Sequence, residues 1–240
     1  MFVNNFDLTS ALLFEPRKAF AEIDARPRFW FPLLVVLVIT VVTAVWYRSV
    51  VDLEWVADRQ IRSSVSSFGV KLTEAQIEES VRRTVDNKTL GMVSTVLATP
   101  IVIVAIGLLG ALYMMLAGRI TGVKRSFRQW FSFTWWVSLP VSVLSMLAAA
   151  FVLLSATTTQ IDQAELKPLS LNALFLQKAF GEPGYSLFSN IDLIQLFGLY
   201  LSIVGVRLWS GRSWLFSSIF ALLPYALIYG IWAYFSLRQT

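Results

Sequence analysis

Residues 128–140 read Arg-Gln-Trp-Phe-Ser-Phe-Thr-Trp-Trp-Val-Ser-Leu-Pro, and apolar sequence without a charge continues to Leu154. A cation followed by an aromatic collar and a long uncharged run is typical of a membrane-spanning helix at its cytoplasmic end. A related pattern starts at Arg212. In both segments a Trp follows the arginine by two residues, and Leu-Pro follows it by eleven and twelve. The chain is therefore predicted to be a membrane protein with an internal repeat.

The composition supports the membrane class and excludes much chemistry. The 240 residues are 56% hydrophobic and only 15% charged, whereas about a quarter of the residues of soluble domains are charged. The chain has no Cys and no His, which excludes thiolate chemistry, structural zinc sites and Ser-His or Cys-His catalytic pairs. We predict no enzyme activity, catalytic residue, metal site or cofactor. The formal charge of +5 is interpreted as topological, so no nucleic-acid partner is expected.

Five stretches with uncharged centres predict an all-α, polytopic fold, because each is long enough at 1.5 Å per residue to cross a bilayer. The predicted spans are 30–49, 90–117, 129–154, 191–209 and 213–237. They form a membrane domain over 29–240. Residues 1–28 are predicted to be a cytoplasmic amphipathic segment of two short helices, split at Pro16 and lying on the membrane surface. A frayed tail is the alternative.

Two polar connections are predicted to lie outside the cytoplasm, at 50–89 and 155–190. In the first, a break at 65–70 precedes Thr73-Glu-Ala-Gln76, which fits a capping box and predicts a helical hairpin. In the second, prolines and a glycine interrupt any long helix, and one short helix is expected near 170–180.

The positive charges predict the orientation. The N-terminal segment, the 119–128 connection and the 207–212 turn together carry ten Lys/Arg against four acids. The positive-inside rule then places the N-terminus in the cytoplasm and the C-terminus in the periplasm of a bacterial inner membrane. Leu112-Tyr113 and Leu199-Tyr200 are each followed by a glycine five residues later, so spans 2–3 and 4–5 are predicted to be repeated hairpins. Chance similarity between apolar helices is the alternative.

The predicted span centres carry no charge, so candidate functional positions are boundary and kink residues. Prolines free backbone carbonyls within a helix, and Asp192 and Gln195 are spaced for one helical face. The candidates are Arg128, Pro140, Asp192, Gln195, Arg212 and Pro224. Two small-residue patches, Gly107/Ala111 and Ala226/Gly230, could support close helix approach. Ordinary packing and boundary anchoring are the alternatives for all these positions.

Several short segments resemble a known family. They are Glu15-Pro16-Arg17-Lys18-Ala19-Phe20-Ala21-Glu22-Ile23 before the first span, Ser126-Phe127-Arg128-Gln129, Pro140 and Leu222-Leu223-Pro224. Together with five spans they resemble the Yip family, the Ypt/Rab-interacting membrane proteins, and its bacterial branch in particular. The resemblance implies an integral membrane protein without enzymatic activity. Eukaryotic members act in vesicle trafficking and bind Rab-type GTPases. This sequence lacks their long cytosolic N-terminal region and Asp-Leu-Tyr-Gly-Pro motif, so GTPase binding is not expected.

Two functions follow as hypotheses. The first is association within the lipid bilayer, through helix–helix or protein–protein contacts with itself or with other membrane proteins. The second is a small-molecule, ion or lipid transporter with a pathway between the hairpins, at the level of Pro140 and Pro224. A packed seam between the hairpins favours association, and an open polar cleft favours transport.

Overall fold

The computed structural model describes residues 4–68 and 72–237. Its helices, in chain order, are α1 (Asn5–Phe14), α2 (Pro16–Ala25), α3 (Trp30–Val50), α4 (Leu53–Phe68), α5 (Glu74–Asp86), α6 (Lys88–Thr121), α7 (Phe127–Ser155), α8 (Tyr185–Ser189), α9 (Leu193–Ser210) and α10 (Trp214–Ser236). A 3₁₀ turn (Gln163–Leu166) and a π turn (Asn172–Leu176) lie between α7 and α8.

Five of these helices, α3, α6, α7, α9 and α10, are long and apolar enough to cross a membrane, with lengths of 18 to 34 residues. The predicted all-α, five-span fold is confirmed. The helix ends differ from the expected span ends by at most four residues, since a helix continues past the apolar region wherever its backbone stays hydrogen-bonded. The division into an N-terminal segment and a membrane domain stays a prediction.

The chain forms two compact units, which share several of the long helices. The first unit runs up to Thr40 and includes Pro100–Ser145 and Ile194–Ile228. The second includes Val41–Thr99, Met146–Leu193 and the chain from Tyr229 onward.

An aromatic cluster forms the core of the first unit. Trp130 and Trp136 of α7 are fully buried, and the ring of Phe133 stacks on that of Phe20, with centroids 5.1 Å apart. Trp209 of α9 packs 5.0 Å from Phe133 and 4.9 Å from Trp130. Such aromatic pairs add about 0.5–1.5 kcal/mol each beyond the area they bury. The core therefore joins the N-terminal helices to α7 and α9.

The N-terminal segment is a docked helix pair. Leu12 of α1, and Phe20 and Ile23 of α2, are completely buried in the same core. The frayed-tail alternative is wrong for the residues that the structure describes, because these side chains fill the protein interior. The location of the pair at the membrane surface stays a prediction.

The second unit contains the predicted helical hairpin. The capping box at Thr73 and Gln76 is present at the start of α5, and Ala57 of α4 packs with Ile77 and Val81 of α5. The break expected at 65–70 is wrong for 65–68, since α4 continues to Phe68; residues 69 and 70 lie outside the described residues.

The connection from α7 to α9 is more irregular than predicted. Within 170–180, where one short helix is predicted, the structure has the short π turn, which ends where Gln177 takes a left-handed conformation with φ 49°. The 3₁₀ turn has its own capping box, formed by Asp162 and Glu165. Local side-chain caps and turns thus satisfy backbone groups that a longer helix would otherwise pair.

Candidate functional site

The first unit contains an apolar cleft of about 370 Å³ among residues of α6, α7, α9 and α10. This volume is at the lower end of the range of about 300–1,000 Å³ that is usual for ligand pockets. Most of the lining is aliphatic or aromatic. The lining residues used below are Gly110, Tyr113, Thr134, Ser138, Ser202, Pro224 and Tyr225.

Two glycines of α6 set the width of the cleft. At Gly107 the ring of Trp135 comes so close that an added Cβ would lie 2.6 Å from the ring atom Cζ2. One turn later, an added Cβ at Gly110 would have Cγ2 of Thr134 as its nearest neighbour, at 3.9 Å. Helices α6 and α7 are therefore tightly packed at Gly107 and leave space at Gly110.

Three hydroxyl groups of the cleft, those of Tyr113, Thr134 and Ser202, donate to backbone carbonyls. Thr134 Oγ1 donates to the carbonyl of Trp130 at 3.0 Å, and Ser202 Oγ donates to that of Gly198 at 3.0 Å. Among the described residues that line the cleft, none is charged. The cleft thus offers mainly apolar surface to an occupant.

Tyr113 of the cleft supplies a hydrogen bond that Pro224 removes from α10. Pro224 has no N–H, so it leaves the carbonyl of Phe220, four residues earlier in α10, without its helical donor. Tyr113 of α6 fills this role, because its hydroxyl donates a 2.8 Å hydrogen bond to that carbonyl. One wall of the cleft is thereby fixed by a contact between α6 and α10.

A polar cluster joins α2 to the start of α7. The guanidinium of Arg125 donates to both carboxylate oxygens of Asp24, at 2.8 and 2.9 Å. Gln129 Nε2 donates to the same carboxylate at 2.7 Å. Gln129 also forms a capping box with Ser126, whose backbone N–H donates to Gln129 Oε1 at 2.9 Å. This arrangement, here called the N-terminal lock, holds α2 against the start of α7.

The segment Ser126-Phe127-Arg128-Gln129, which carried part of the sequence resemblance, thus takes part in the N-terminal lock. A comparison with protein-family models gives a match to the Yip1 domain over residues 10–235, nearly the whole chain. The chain belongs to the Yip1 family. The predicted resemblance is confirmed, and the chain is a multi-pass membrane protein of that family. No curated protein and no solved structure matches it.

In this Yip1 protein the six predicted positions do not form one site. Arg128 is exposed on the first turn of α7, and Pro140 is buried within α7. Arg212, in the exposed connection before α10, donates to the carbonyl of Thr121. Gln195 is half-buried on α9. Of the six, only Pro224 lines the cleft.

Asp192 departs from its predicted setting. It precedes α9 and forms an antiparallel bridge with Ser170. The backbone N–H of Leu171 donates to the carbonyl of Ile191 at 2.7 Å, and that of Leu193 donates to the carbonyl of Leu169 at 3.1 Å. Asp192 and Gln195 therefore do not lie on one helical face as predicted, because this pairing keeps Asp192 out of the helix.

The two small-residue patches differ in their use. Ala111 is fully buried, and Gly107 packs on Trp135, so this patch is used within the Yip1 chain itself. At Gly230 an added Cβ would meet no atom within 4 Å, and Ala226 is exposed. The second patch therefore presents open helix surface.

Residues at corresponding positions of the predicted repeat have different surroundings in the structure. Trp130 is fully buried, whereas its counterpart Trp214 is 45% exposed. Tyr113 bonds to α10, whereas its counterpart Tyr200 is 50% exposed. The two repeated hairpins stay a prediction.

Sequence reasoning missed the N-terminal lock and the role of Tyr113. The Ser-x-x-Gln spacing at Ser126 was a readable signal of a helix start. The pairing of Arg125 with Asp24 joins residues 101 positions apart. Several acids in the N-terminal segment could have served equally well as partner, so spacing did not select one.

Proposed function

We propose that this Yip1-family protein is non-enzymatic and works by lateral association in the membrane, with apolar side chains of another membrane protein entering the cleft at Gly110 and Tyr225. One observation carries the proposal: the cleft is apolar, and Tyr113, Thr134 and Ser202 turn their hydroxyl hydrogen bonds to backbone carbonyls. In lipid, helices associate through close packing next to small residues. A recess beside a glycine provides such a surface.

The spans also have much surface left for partners. In the most apolar window of each span, only 17% to 39% of the residues are buried inside the chain. The remainder faces lipid or other proteins. Surface next to a recess is better suited to a partner than a uniform helix face, because shape complementarity adds van der Waals contacts.

Transport of ions or small polar molecules is less favoured. Such a pathway needs polar groups that replace the hydration of the substrate. The hydroxyls of Tyr113, Thr134 and Ser202 are already hydrogen-bonded, and the cleft lining lacks charge among the described residues. A lipid acyl chain is the second candidate occupant, because an apolar recess open to the bilayer suits it.

The orientation belongs to the same proposal. The connection between α6 and α7 contains Lys124 and Arg125, Arg128 follows in the first turn of α7, and no acid lies among them. This charge pattern supports a cytoplasmic location by the positive-inside rule. The N-terminus then lies in the cytoplasm and the C-terminus in the periplasm of a bacterial inner membrane.

Site-specific photo-crosslinking in native membranes tests the function. A benzophenone side chain is placed at Tyr225, which lines the cleft, and in a matched control at Leu215, a 71% exposed residue of the same helix. We expect a discrete protein adduct from position 225 and none from 215. The substitution Gly110→Leu, which fills the cleft, should abolish the adduct from position 225. A lipid adduct at 225 would favour the acyl-chain candidate instead. Equal labelling at both positions, insensitive to Gly110→Leu, would overturn the proposal.

A further inference from the structure

The second unit contains a polar pocket that the proposed function does not use. It has a volume of about 460 Å³ and lies among α4, the 3₁₀ turn and α8. Helix α4 contributes Trp55 and Arg59, one helical turn apart, and the connection from α7 contributes Asp162 and Lys167. A pocket that combines aromatic walls with fixed charges has the features of a ligand site.

Arg59 is held rigidly on one wall. Its Nε donates to Asp162 Oδ2 at 2.8 Å. Its guanidinium carbon lies 3.9 Å from the ring centroid of Phe180 and 4.6 Å from that of Trp55. The second oxygen of Asp162 accepts the backbone N–H of Ala164 at 2.9 Å. The charges of Arg59 and Asp162 therefore compensate each other, and both groups are fixed in place.

Among the described residues that line the pocket, Lys167 is a second cation beside Arg59. Its ammonium donates to Asn190 Oδ1, which is a neutral amide oxygen. Burial lowers the pKa of Lys167, and the carboxylate of Asp192 partly opposes this effect through space. An ammonium has three donors, so this desolvated group can donate to an anion while it keeps its bond to Asn190.

Asn190 fixes the position of this lysine. Its amide nitrogen donates to the carbonyl of Ser186 at 2.9 Å. The main-chain carbonyl of Asn190 accepts a 3.0 Å hydrogen bond from the hydroxyl of Tyr229, which lies in the second half of α10. The pocket is thus attached directly to a membrane-spanning helix.

Apolar side chains next to the pocket point to lipid. Leu169 follows Lys167 by two residues and is 39% exposed, and Phe175 of the π turn is 72% exposed. Leu174 and Leu176 are exposed as well. Exposed apolar groups between two membrane spans are typical of a segment that enters the interfacial layer of the bilayer. Lys167 then lies at the depth of the lipid headgroups.

We propose that this pocket binds the phosphate group of a membrane-lipid headgroup, with Lys167 as the charged contact and the rest of the pocket enclosing the polar part of the headgroup. The chemistry recognised is a phosphate ester. A soluble phosphate ester is the other possible source of the same group, and the two sources are separated by experiment.

Native mass spectrometry of the purified chain in detergent tests the site. The probes are phosphatidylglycerol, diacylglycerol with the same acyl chains, and glycerol 3-phosphate. We expect one bound phosphatidylglycerol and no diacylglycerol. Lys167→Met should weaken the binding about tenfold or more, which corresponds to the loss of one hydrogen bond to a charged group. Lys178→Met removes the same charge from the same connection outside the pocket and should bind as the wild type does.

A second variant and the soluble probe complete the test. Ser186 is an exposed pocket residue, and Ser186→Leu should weaken binding by filling space without removing the lysine. Lysine-dependent binding of phosphatidylglycerol alone identifies the lipid as the source, and lysine-dependent binding of glycerol 3-phosphate identifies a soluble ester. Unchanged binding in Lys167→Met, equal loss in Lys178→Met, or equally tight binding of diacylglycerol would overturn the proposal.

Discussion

The hydroxyl of Tyr113 donates a 2.8 Å hydrogen bond to the main-chain carbonyl of Phe220, the carbonyl that Pro224 leaves without its helical donor. A proline inside a helix costs about 3 kcal/mol, partly through that missing hydrogen bond. In lipid no water can replace the donor. A tyrosine on α6 therefore compensates for the proline in α10 and at the same time forms one wall of the cleft.

This relationship predicts an energetic coupling. Tyr113→Phe should lower the free energy of unfolding by about 1–3 kcal/mol, because a buried carbonyl loses its donor. Pro224→Ala returns an N–H to Phe220, so in that background Tyr113→Phe should cost less than about 0.5 kcal/mol. Reversible unfolding in mixed micelles measures both values. Tyr200→Phe is the control and should be nearly neutral. An equal cost in both backgrounds would contradict the assignment.

The glycines of α6 provide a second prediction. Gly107→Ala should destabilise the protein by about 1–3 kcal/mol, because the new methyl group would overlap the ring of Trp135. Gly110→Ala, three residues further along the same helix, has room and should be neutral or stabilising, since Ala favours a helix over Gly by up to about 1 kcal/mol. Thermal unfolding of the two variants measures these effects. Equal shifts of the unfolding midpoint in both variants would contradict the difference in packing between Gly107 and Gly110.

The N-terminal lock predicts a rescue by charge exchange. Asp24→Arg should release the N-terminal helices, because two cations would face each other, and adding Arg125→Asp should restore docking. The chain has no cysteine, so spin labels at Lys18 and Arg128, which are exposed, report one distance by pulsed electron resonance. We expect a narrow distribution, a broad one in Asp24→Arg and a narrow one again in the double variant. A narrow distribution in Asp24→Arg would show that apolar burial alone holds the pair.

The pKa of Lys167 predicts a pH dependence of stability. Burial lowers this pKa in the folded state below the ordinary 10.5. Between the lowered pKa and 10.5 the unfolded chain binds more protons than the folded chain, so the contribution of Lys167 to stability rises with pH in that window. Below it the wild type carries the cost of a buried charge. The free energy of unfolding of the wild type, measured relative to that of Lys167→Met, should therefore increase as the pH rises. A pH-independent difference would disprove it.

The orientation makes a prediction that labelling can check. Single cysteines replacing Lys124 and Gln163 should react with a membrane-impermeant maleimide from opposite sides. Position 163 should react in intact spheroplasts, and position 124 only in inverted vesicles, because the proposed orientation places the positive charges between α6 and α7 in the cytoplasm. The reversed pattern would invert the proposed topology.

Prediction from the sequence worked best where one strong effect acts locally. The five spans were readable because uncharged stretches of this length have few alternatives to crossing a bilayer. The capping box at Thr73 was readable because its two partners are three residues apart. The candidate site was much harder to predict from the sequence. Of the predicted positions, Pro224 lines the cleft, whereas Asp192, predicted to share a helical face with Gln195, precedes α9 and pairs with Ser170.

The sequence by itself determined that this chain is an all-α membrane protein of the Yip1 family, because hydropathy, charge placement and short motifs are properties of neighbouring residues. Only the tertiary structure decided that Phe20 fills the core beside Phe133, that Arg125 selects Asp24, and that Tyr113 pairs with the carbonyl of Phe220. Each of these contacts joins residues about 100 or more positions apart. Such partners are chosen by the geometry of packed helices, which no local pattern of residues specifies.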